Sequence, residues 1–415
     1  MKKIKNVLLV FAGNAIVAGV PLITLPFTTS LISVGDFGLL AMAQIIIAFF
    51  IPFVGMSLAT NYGVNYYTLD PANRDKLLSG GLTLTLLLCL LFECVLFLFF
   101  SFSGKEDIGG FGTTIIYFFP VFALFKLCSD LAMVDLRYRE KFSAFFLAQF
   151  LTSSLIMISI FVIWNLKVRN WLYIWSVYYL VYSLVFIVLF SNHYKKLKFK
   201  YTLDLKVIKD VLSFGGKYIP HVLGVTLISM GDRFFIGLIL GDLDLGLYAA
   251  AFQISATTYI VFYSINQVWS QTLFRQLSNG IKVSATVKSS LLIFMLFIIV
   301  ILGLFLVTPF LFPMLVSPEY INAQSLVLPI ALAFLAQGGY FLLSNYLLYD
   351  KKTGVIAKFT LIASFLNCGL NYIFINDFGA VGAPLATIAS WGIVILLIFM
   401  QLKKSQVNSS GISSI

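Results

Sequence analysis

Two formal charges lie side by side in a stretch that is otherwise apolar, LISMGDRFFIGLIL at residues 227–240. A charged side chain is costly in hydrocarbon, so Asp232 and Arg233 indicate either a function or a mutual ion pair. Lys217 and His221 precede them at helical spacing, so one drifting face of a helix would carry a cation, an imidazole and a carboxylate. Such a face could bind an anion through its cations and exchange protons or small cations through its other groups.

Each of these residues also has a purely structural explanation. Asp232 and Arg233 could form only a mutual or interhelical pair that fixes the fold. Lys217 could extend its long side chain to the membrane interface. His221 follows Pro220 and could be a hydrogen-bonded side chain at a helix kink. The sequence leaves these alternatives open.

Three more ionisable residues lie within other apolar segments. Lys126 and Asp130 are four residues apart, the spacing at which opposite charges neutralise each other on one helix. Glu93 has no partner within its own segment. It could pair with Lys126 on the neighbouring segment, titrate, or stay protonated in a site of low dielectric.

The composition identifies the class of protein that surrounds these charges. The 415 residues are 60% hydrophobic and 11% charged, and the mean hydropathy is +0.98. Soluble chains carry about 25% charged residues, so we predict a polytopic membrane protein. The formal net charge of +11 arises from basic residues beside apolar runs. That placement is typical of membrane topology and not of a nucleic-acid partner.

Twelve apolar runs are long enough to cross a bilayer, which takes about 17–25 residues. Successive loops between the runs lie on alternate sides of the membrane. Of the 28 lysine and arginine residues, three fall in loops on one side, the outer side, and three within the runs, and all others lie on the inner side. The positive-inside rule then places both termini in the cytoplasm. The predicted spans are at about 7–31, 37–58, 80–102, 112–134, 142–164, 171–191, 213–240, 246–271, 286–309, 323–349, 355–375 and 379–402.

The two halves of the chain resemble each other in three short motifs that occur in the same order. The pairs are FAGN (11–14) with FGGK (214–217), GDFGLLAMAQ (35–44) with GDLDLGLYAAAFQ (241–253), and LRYREKFSAFF (136–146) with LLYDKKTGVIAKF (347–359). In this repeat Asn14 corresponds to Lys217. Each copy has an even number of spans, so both copies enter the membrane from the same side.

The repeat predicts an all-α integral membrane fold of twelve transmembrane helices in two parallel six-helix lobes, related by a pseudo-two-fold axis along the membrane normal. We expect an N-terminal lobe at 1–191, a basic cytoplasmic linker at 192–210, a C-terminal lobe at 211–402 and a cytoplasmic tail at 403–415. Substrate sites in folds of this kind lie near the middle of the membrane, between the repeats.

Two segments carry a resemblance to a known family. LNCGLNYIFINDFGAVGAPLAT (366–387) resembles the signature of Wzx-type O-antigen flippases, in the polysaccharide-transporter branch of the multidrug/oligosaccharidyl-lipid/polysaccharide exporter superfamily. DRFFIGLILGDLDLGLYAAAFQ (232–253) is similar to the segment that follows helix seven in the same family. Chain length, span count and repeat also match, so the resemblance covers nearly the whole chain.

The resemblance implies a flippase of the bacterial inner membrane. Its substrate would be an undecaprenyl-diphosphate-linked oligosaccharide repeat unit, moved from the cytoplasmic to the periplasmic leaflet by alternating access. Coupling to H⁺ or Na⁺ antiport is implied, as are a polysaccharide polymerase and a chain-length regulator as partners in O-antigen and lipopolysaccharide assembly. In the family, helices one, two, seven and eight line the cavity.

Within this resemblance the ionisable residues receive expected roles. The expected substrate-binding residues are Arg233, Lys217, Asn14 and Lys126. The expected ion-coupling residues are Asp232, His221, Glu93 and Asp130.

Two other functions compete with the flippase. A cation-coupled multidrug extruder of the same superfamily would need an acidic, aromatic cavity. A membrane enzyme of polysaccharide assembly would need a sizeable extramembrane loop, whereas no outer loop exceeds about 15 residues, the length of an ordinary connection. We find no nucleophile–base pair, phosphate-binding glycine loop or metal-ligand spacing, so no catalytic residue, metal or cofactor is expected.

Overall fold

The computed structural model describes residues 2–108, 111–194, 204–281 and 283–411. Within these ranges it does not describe the side chains of residues 2–8, 108, 190–194, 221, 284, 353 and 404–411. The chain divides into two compact units, one of residues 1–32 and 39–223 and the other of 33–38 and 224–415.

The long apolar runs form α-helices. A bilayer offers no hydrogen-bond partners to the backbone, and a helix satisfies its backbone N–H and C=O groups internally. The helices are α1 (Lys2–Leu31), α2 (Val34–Gly55), α3 (Leu58–Asn65), α4 (Pro71–Ser103), α5 (Thr113–Tyr138), α6 (Phe142–Asn165), α7 (Trp171–Tyr194), α8 (Leu205–Ile239), α9 (Asp242–Ser278), α10 (Val283–Leu315), α11 (Gln324–Tyr349), α12 (Thr353–Phe378) and α13 (Gly382–Gly411). Two 3₁₀ segments, Pro318–Ala323 and Gly379–Val381, precede α11 and α13. Strands β1 (Asp107–Ile108) and β2 (Phe111–Gly112) form a small antiparallel pair before α5.

Every predicted span overlaps one long helix. Eleven segments of the described chain are long and apolar enough to cross a membrane. The last of these, 354–403, contains both α12 and α13, which the short 3₁₀ segment separates. The prediction of an all-α, multi-pass membrane protein with twelve spanning helices is therefore confirmed.

The division into lobes expected from the sequence stays a prediction. The boundary between the compact units falls within α8, between residues 223 and 224, and the short stretch 33–38 belongs to the second unit. Nine of the nineteen residues of the predicted linker, 195–203, lie outside the described residues, as does the end of the predicted tail, 412–415.

The second predicted span is interrupted in the structure. Met56 and Ser57, between α2 and α3, have φ values of 44° and 54°, a conformation in which side-chain-bearing residues are strained. A Cβ on Gly215 of α8 would lie 2.6 Å from the Met56 carbonyl oxygen, so the glycine permits close backbone contact at this break. The corresponding helix of the second unit, α9, runs unbroken over 37 residues.

The paired GD motifs of the repeat meet in the second unit. A Cβ on Gly38 would overlap the Asp242 carbonyl group, and a Cβ on Gly246 would overlap the Val34 carbonyl and lie 3.1 Å from the Gly38 nitrogen. Glycine at both positions therefore brings the beginnings of α2 and α9 into backbone contact.

Each unit has its own apolar core. In the first unit a cluster around Leu58, Tyr62 and Leu131 joins α3, α4 and α5. In the second unit Phe262 and Phe297 stack with ring centroids 4.2 Å apart between α9 and α10, and Trp391 anchors a cluster of α11, α12 and α13. These cores hold the helices that carry the ionisable side chains.

Candidate functional site

Asp232 is held by groups from two helices of the second unit. Its side chain is 9% exposed, and its Oδ2 accepts a hydrogen bond of 2.8 Å from the Tyr248 hydroxyl on α9. Its Oδ1 accepts a bond of 2.7 Å from the Arg233 backbone N–H. These two bonds satisfy the carboxylate inside the protein, which a buried charge requires.

Arg233 is arranged differently from its neighbour. Its Nε lies 3.4 Å from Asp232 Oδ1, a loose ion pair, and its Nη2 donates a 2.5 Å hydrogen bond to the Ser229 carbonyl. The guanidinium carbon lies 3.8 Å from the ring centroid of Phe252, close enough for a cation–π contact. Guanidinium has five N–H donors, and three of them have no partner among the described residues.

A network of polar side chains that sequence analysis did not identify lies at the seam of α12 and α13. Asn367 donates to Ser390 at 3.3 Å and to Thr387 at 3.4 Å, and it accepts from Asn371 at 2.9 Å. The Oδ1 of Asn371 is buried without a hydrogen-bond partner in the described part of the chain. The only sequence signal was the LN…LN motif, which marks the family without indicating what its amides contact.

This network approaches α8. A Cβ on Gly231 would lie 3.9 Å from Asn367 Oδ1, and one on Gly224 would lie 3.3 Å from Ser364 Oγ. Gly224 and Gly231 on α8 thus face the polar side of α12. Gly231 immediately precedes Asp232. The second unit therefore has a carboxylate, a guanidinium and several amide groups on neighbouring helices.

Lys126 and Asp130 form the ion pair that their spacing predicts. Lys126 Nζ lies 2.5 Å from Asp130 Oδ1, and the side chains are 31% and 45% exposed. The ammonium also lies 4.9 Å from the ring centroid of Tyr182 on α7. The expected substrate and coupling roles of the two residues stay predictions.

Glu93 lies apart from both charged pairs. Its Oε1 is buried without a hydrogen-bond partner among the described residues, while Lys126 is paired with Asp130. The structure therefore does not contain an ion pair between Glu93 and Lys126, which was one of the alternatives for Glu93. Glu93 borders a cavity of about 470 Å³ with Cys94, Phe97, Leu98 and Tyr117.

Among the described side chains, the remaining expected residues contact neither the Asp232–Arg233 pair nor the Lys126–Asp130 pair. Asn14 on α1 and Lys217 on α8 are both exposed, and neither has a hydrogen bond or ion pair with another described side chain. The side chain of His221 lies outside the described residues. Their expected roles stay predictions.

A second network missed by sequence analysis stabilises one end of the first unit. The Tyr62 hydroxyl donates to Asp135 Oδ1 at 2.5 Å, and Arg139 Nε donates to the same oxygen at 2.7 Å. Arg139 Nη2 also lies 3.8 Å from Asp75 Oδ1. No sequence pattern indicates Tyr62 as a partner, because it is 73 residues from Asp135.

The electrostatics of this network keep its donors protonated. Burial raises the pKa of Tyr62, and the Asp135 carboxylate raises that pKa further. Burial by itself would lower the pKa of Arg139, but its hydrogen bond and charge interaction with Asp135 outweigh burial and raise it. Because both donors keep their protons, the carboxylate remains satisfied at physiological pH.

Comparison with solved structures identifies the fold. The lipid II flippase MurJ in an inward closed conformation has a TM-score of 0.72 and 16% identity, covering 96% of this chain and 87% of that chain. An inward-facing multidrug resistance MATE family transporter of the MOP superfamily has a TM-score of 0.71 and 13% identity, covering 96% of each chain. A MOP superfamily transporter from Pyrococcus furiosus has a TM-score of 0.60 and 12% identity, covering 95% and 94%.

At such low identity these similarities establish the fold alone, which this chain shares with the three proteins named. A comparison with curated proteins gave no significant match. The sequence does match the profile of a protein family, described as polysaccharide biosynthesis protein, over residues 4–276. The resemblance found in the sequence motifs is thus confirmed, and the chain belongs to the family of polysaccharide biosynthesis proteins.

Proposed function

We propose that this protein is a flippase for an undecaprenyl-diphosphate-linked oligosaccharide repeat unit of an O-antigen or a similar surface polysaccharide. It moves this substrate from the cytoplasmic to the periplasmic leaflet of the inner membrane by alternating access, with both termini in the cytoplasm. The family match supports a polysaccharide substrate, and the fold, shared with a lipid II flippase, supports movement of a lipid-linked one.

The arrangement of Arg233 is the observation that carries the proposal. A diphosphate bearing sugars cannot cross about 30 Å of hydrocarbon unaided, because its charges and hydroxyl groups would lose their hydration. A planar guanidinium binds phosphate oxygens through paired N–H donors. Arg233 is only 15% exposed, is held by Ser229 and Phe252, and keeps three donors free of described partners. It therefore presents a positioned cation to an anionic group.

Ion coupling belongs to the same proposal, with Asp232 as the foremost candidate. Carboxylate and amide oxygens are ligands that hard cations prefer, and Asp232 follows Gly231, which faces the amide of Asn367. We propose that either H⁺ or Na⁺ binds at Asp232 during transport. Flipping by reconstituted protein, measured in a sodium gradient at constant pH and in a pH gradient without sodium, distinguishes the two ions.

The chain is proposed to act as a transporter and not as an enzyme, together with the polymerase and chain-length regulator that use its product. A multidrug extruder is the second candidate, because the match to a MATE transporter is as extensive as the match to the flippase. The extruder would carry an organic cation, which the free donors of Arg233 disfavour.

Complementation of a flippase-null strain tests the proposal. We expect the gene to restore surface polysaccharide and to remove the accumulated lipid-linked intermediate, whose mass identifies the repeat unit. Lys288→Ala is the matched control for substitutions of Arg233, because it removes an exposed cation of α10 and should complement fully. Resistance to organic cations without any change in the intermediate would favour the extruder instead.

A further inference from the structure

Five aromatic side chains form a continuous row along α9 and α11 of the second unit, and we call this row the aromatic ladder. Its members are Phe252, Tyr259 and Tyr263 on α9 and Phe334 and Phe341 on α11. The centroid distances are 5.4 Å from Phe252 to Phe334, 5.5 Å from Phe334 to Tyr259, 5.9 Å from Tyr259 to Tyr263, and 6.0 Å from Tyr263 to Phe341. Each ring thus contacts the next.

The ladder occupies one face of α9. Residues 252, 259 and 263 are seven and four apart, so at 3.6 residues per turn they share a stripe. The apolar side chains of Leu243, Val261 and Val268 project from the opposite face, where they are 65%, 39% and 68% exposed. Those three suit contact with lipid chains, so the ladder is on the side of α9 that faces away from them.

Polar groups mark both ends of the ladder. At one end the guanidinium of Arg233 lies over the Phe252 ring at 3.8 Å. At the other end, one helical turn beyond Tyr263 and Phe341, Asn345 donates a hydrogen bond of 2.9 Å to Asn266. The stripe from Phe252 to Tyr263 is about 16 Å long at 1.5 Å per residue, which is the length of a short oligosaccharide.

The rings themselves retain unused binding capacity. All five are only partly buried, and Tyr263 is 44% exposed, whereas Phe262 between them on α9 is fully buried in the core. The hydroxyls of Tyr259 and Tyr263 have no hydrogen bond within the described part of the chain. A row of rings that served only to pack α9 on α11 would not need phenol groups without partners.

Partly exposed aromatic faces with hydroxyl and amide groups beside them match the chemistry of sugar rings. The face of a pyranose presents C–H groups that lie well against the electron-rich face of an aromatic ring, and its rim presents hydroxyls that need hydrogen-bond partners. A diphosphate at one end of such a chain of rings would meet Arg233.

We propose that the aromatic ladder is a binding track for the sugar rings of the lipid-linked oligosaccharide, with the diphosphate at Arg233 and the glycan along α9 and α11. The inference rests on the proposed function and extends it, because it assigns the glycan to named rings.

Binding to the full-length protein in nanodiscs tests the track with three probes. These are the lipid-linked repeat unit extracted from the null strain, undecaprenyl diphosphate without sugar, and tetraphenylphosphonium as an organic cation. The test variant is the double substitution Tyr259→Leu with Tyr263→Leu, which keeps apolar bulk and removes both rings. We expect it to weaken binding of the glycosylated lipid about tenfold, since each stacked ring contributes appreciably, and to leave the sugar-free lipid unaffected.

Two control variants complete the design. Tyr259→Phe with Tyr263→Phe keeps the rings and should bind the glycosylated lipid better than the leucine variant does. Phe310→Leu removes a ring that is 77% exposed on α10 and should bind like the wild type. Thermal unfolding in the same nanodiscs reports folding, and Tyr263→Leu alone replaces the double variant if the latter does not fold.

The ladder proposal is overturned if the leucine variant binds the glycosylated lipid as the wild type does, if it loses the sugar-free lipid equally, or if it loses only the organic cation. A wild type that binds the glycosylated lipid through the ladder but does not flip it contradicts the proposed function and leaves the track intact. A wild type that binds no glycosylated lipid overturns both.

Discussion

The hydroxyl of Tyr248 donates a 2.8 Å hydrogen bond to the carboxylate of Asp232, which joins α9 to α8 within the apolar interior of the second unit. We expect Tyr248→Phe to lower stability by about 1–3 kcal/mol, because it leaves one oxygen of a buried carboxylate without its donor. Thermal unfolding in detergent measures the loss. Asp232→Ala is the comparison, since it leaves both the Tyr248 hydroxyl and the Arg233 backbone N–H without their acceptor, and it should be more destabilising.

If Asp232 binds the coupling ion, Asp232→Asn should separate stability from transport. The variant would fold and reach the membrane at normal levels, yet its flipping would lose its dependence on the ion gradient. Normal gradient dependence in this variant would remove Asp232 from the coupling mechanism.

Arg233→Ala should abolish surface polysaccharide while the amount of protein in the membrane stays unchanged. The reason is that the guanidinium offers three donors without described partners, and no other described side chain takes its place over Phe252. Arg233→Lys keeps the charge but loses the paired donors, so it should retain only part of the activity. Export measured by polysaccharide staining, with protein measured by immunoblot, checks both variants.

Joint replacement of Asp232 and Arg233 by apolar residues distinguishes binding from packing. A pair that only stabilises the fold tolerates such replacement well, so full export by the double variant would contradict the substrate-binding role of Arg233. Loss of export with normal protein level is the expected result.

The pair formed by Lys126 and Asp130 should tolerate exchange but not the loss of one partner. Lys126→Met alone leaves a carboxylate without its cation, and we expect less protein in the membrane. The reversed pair, Lys126→Asp with Asp130→Lys, keeps the four-residue spacing and should restore the level. If export stays absent when the level is restored, Lys126 contacts the substrate, as its position beside Tyr182 would permit.

Asp135 accepts hydrogen bonds from Tyr62 and Arg139, and its removal should destabilise the first unit. Asp135→Ala leaves the Arg139 guanidinium without its nearest carboxylate, since Asp75 lies 3.8 Å away, and breaking a buried pair in this way costs about 3–5 kcal/mol. Tyr62→Phe removes one neutral donor and should cost less. Protein abundance and thermal unfolding give the order of the two variants, and equal effects would contradict the assignment.

Gly38→Ala should disrupt the contact between the beginnings of α2 and α9. The added methyl group would overlap the Asp242 carbonyl, and backbone atoms cannot move aside as a flexible side chain can. Gly216→Ala is the matched control, since a Cβ there has nothing within 4 Å. Lower abundance is expected for the first variant only.

Properties that depend on local pattern are predictable from this sequence. The twelve spans follow from the thickness of the bilayer, which sets the length of an apolar run, and each overlaps a long helix. The ion pair of Lys126 and Asp130 follows from the geometry of a single helix. Neither property requires knowledge of which helices are neighbours.

The sequence is an incomplete guide where a residue depends on a partner that is distant along the chain. It identified Asp232 without Tyr248, and it missed Asp135 with Tyr62 altogether. It allowed Lys126 as a partner for Glu93, and the structure does not contain that pair. The motif around Asn367 and Asn371 marks the family, but it does not predict that Asn371 donates to Asn367 or that Asn367 donates to Ser390 on α13.

The sequence by itself determined the class of protein, the number and length of its spans, and the family, because hydropathy, charge distribution and motifs are written along the chain. Only the tertiary structure decided what each charge contacts. It satisfied the carboxylate of Asp232 with Tyr248, left three donors of Arg233 without partners among the described residues, and aligned rings of α9 and α11 into one row. The physical reason is that contacts between helices depend on their rotation and packing, which periodicity within one helix does not specify.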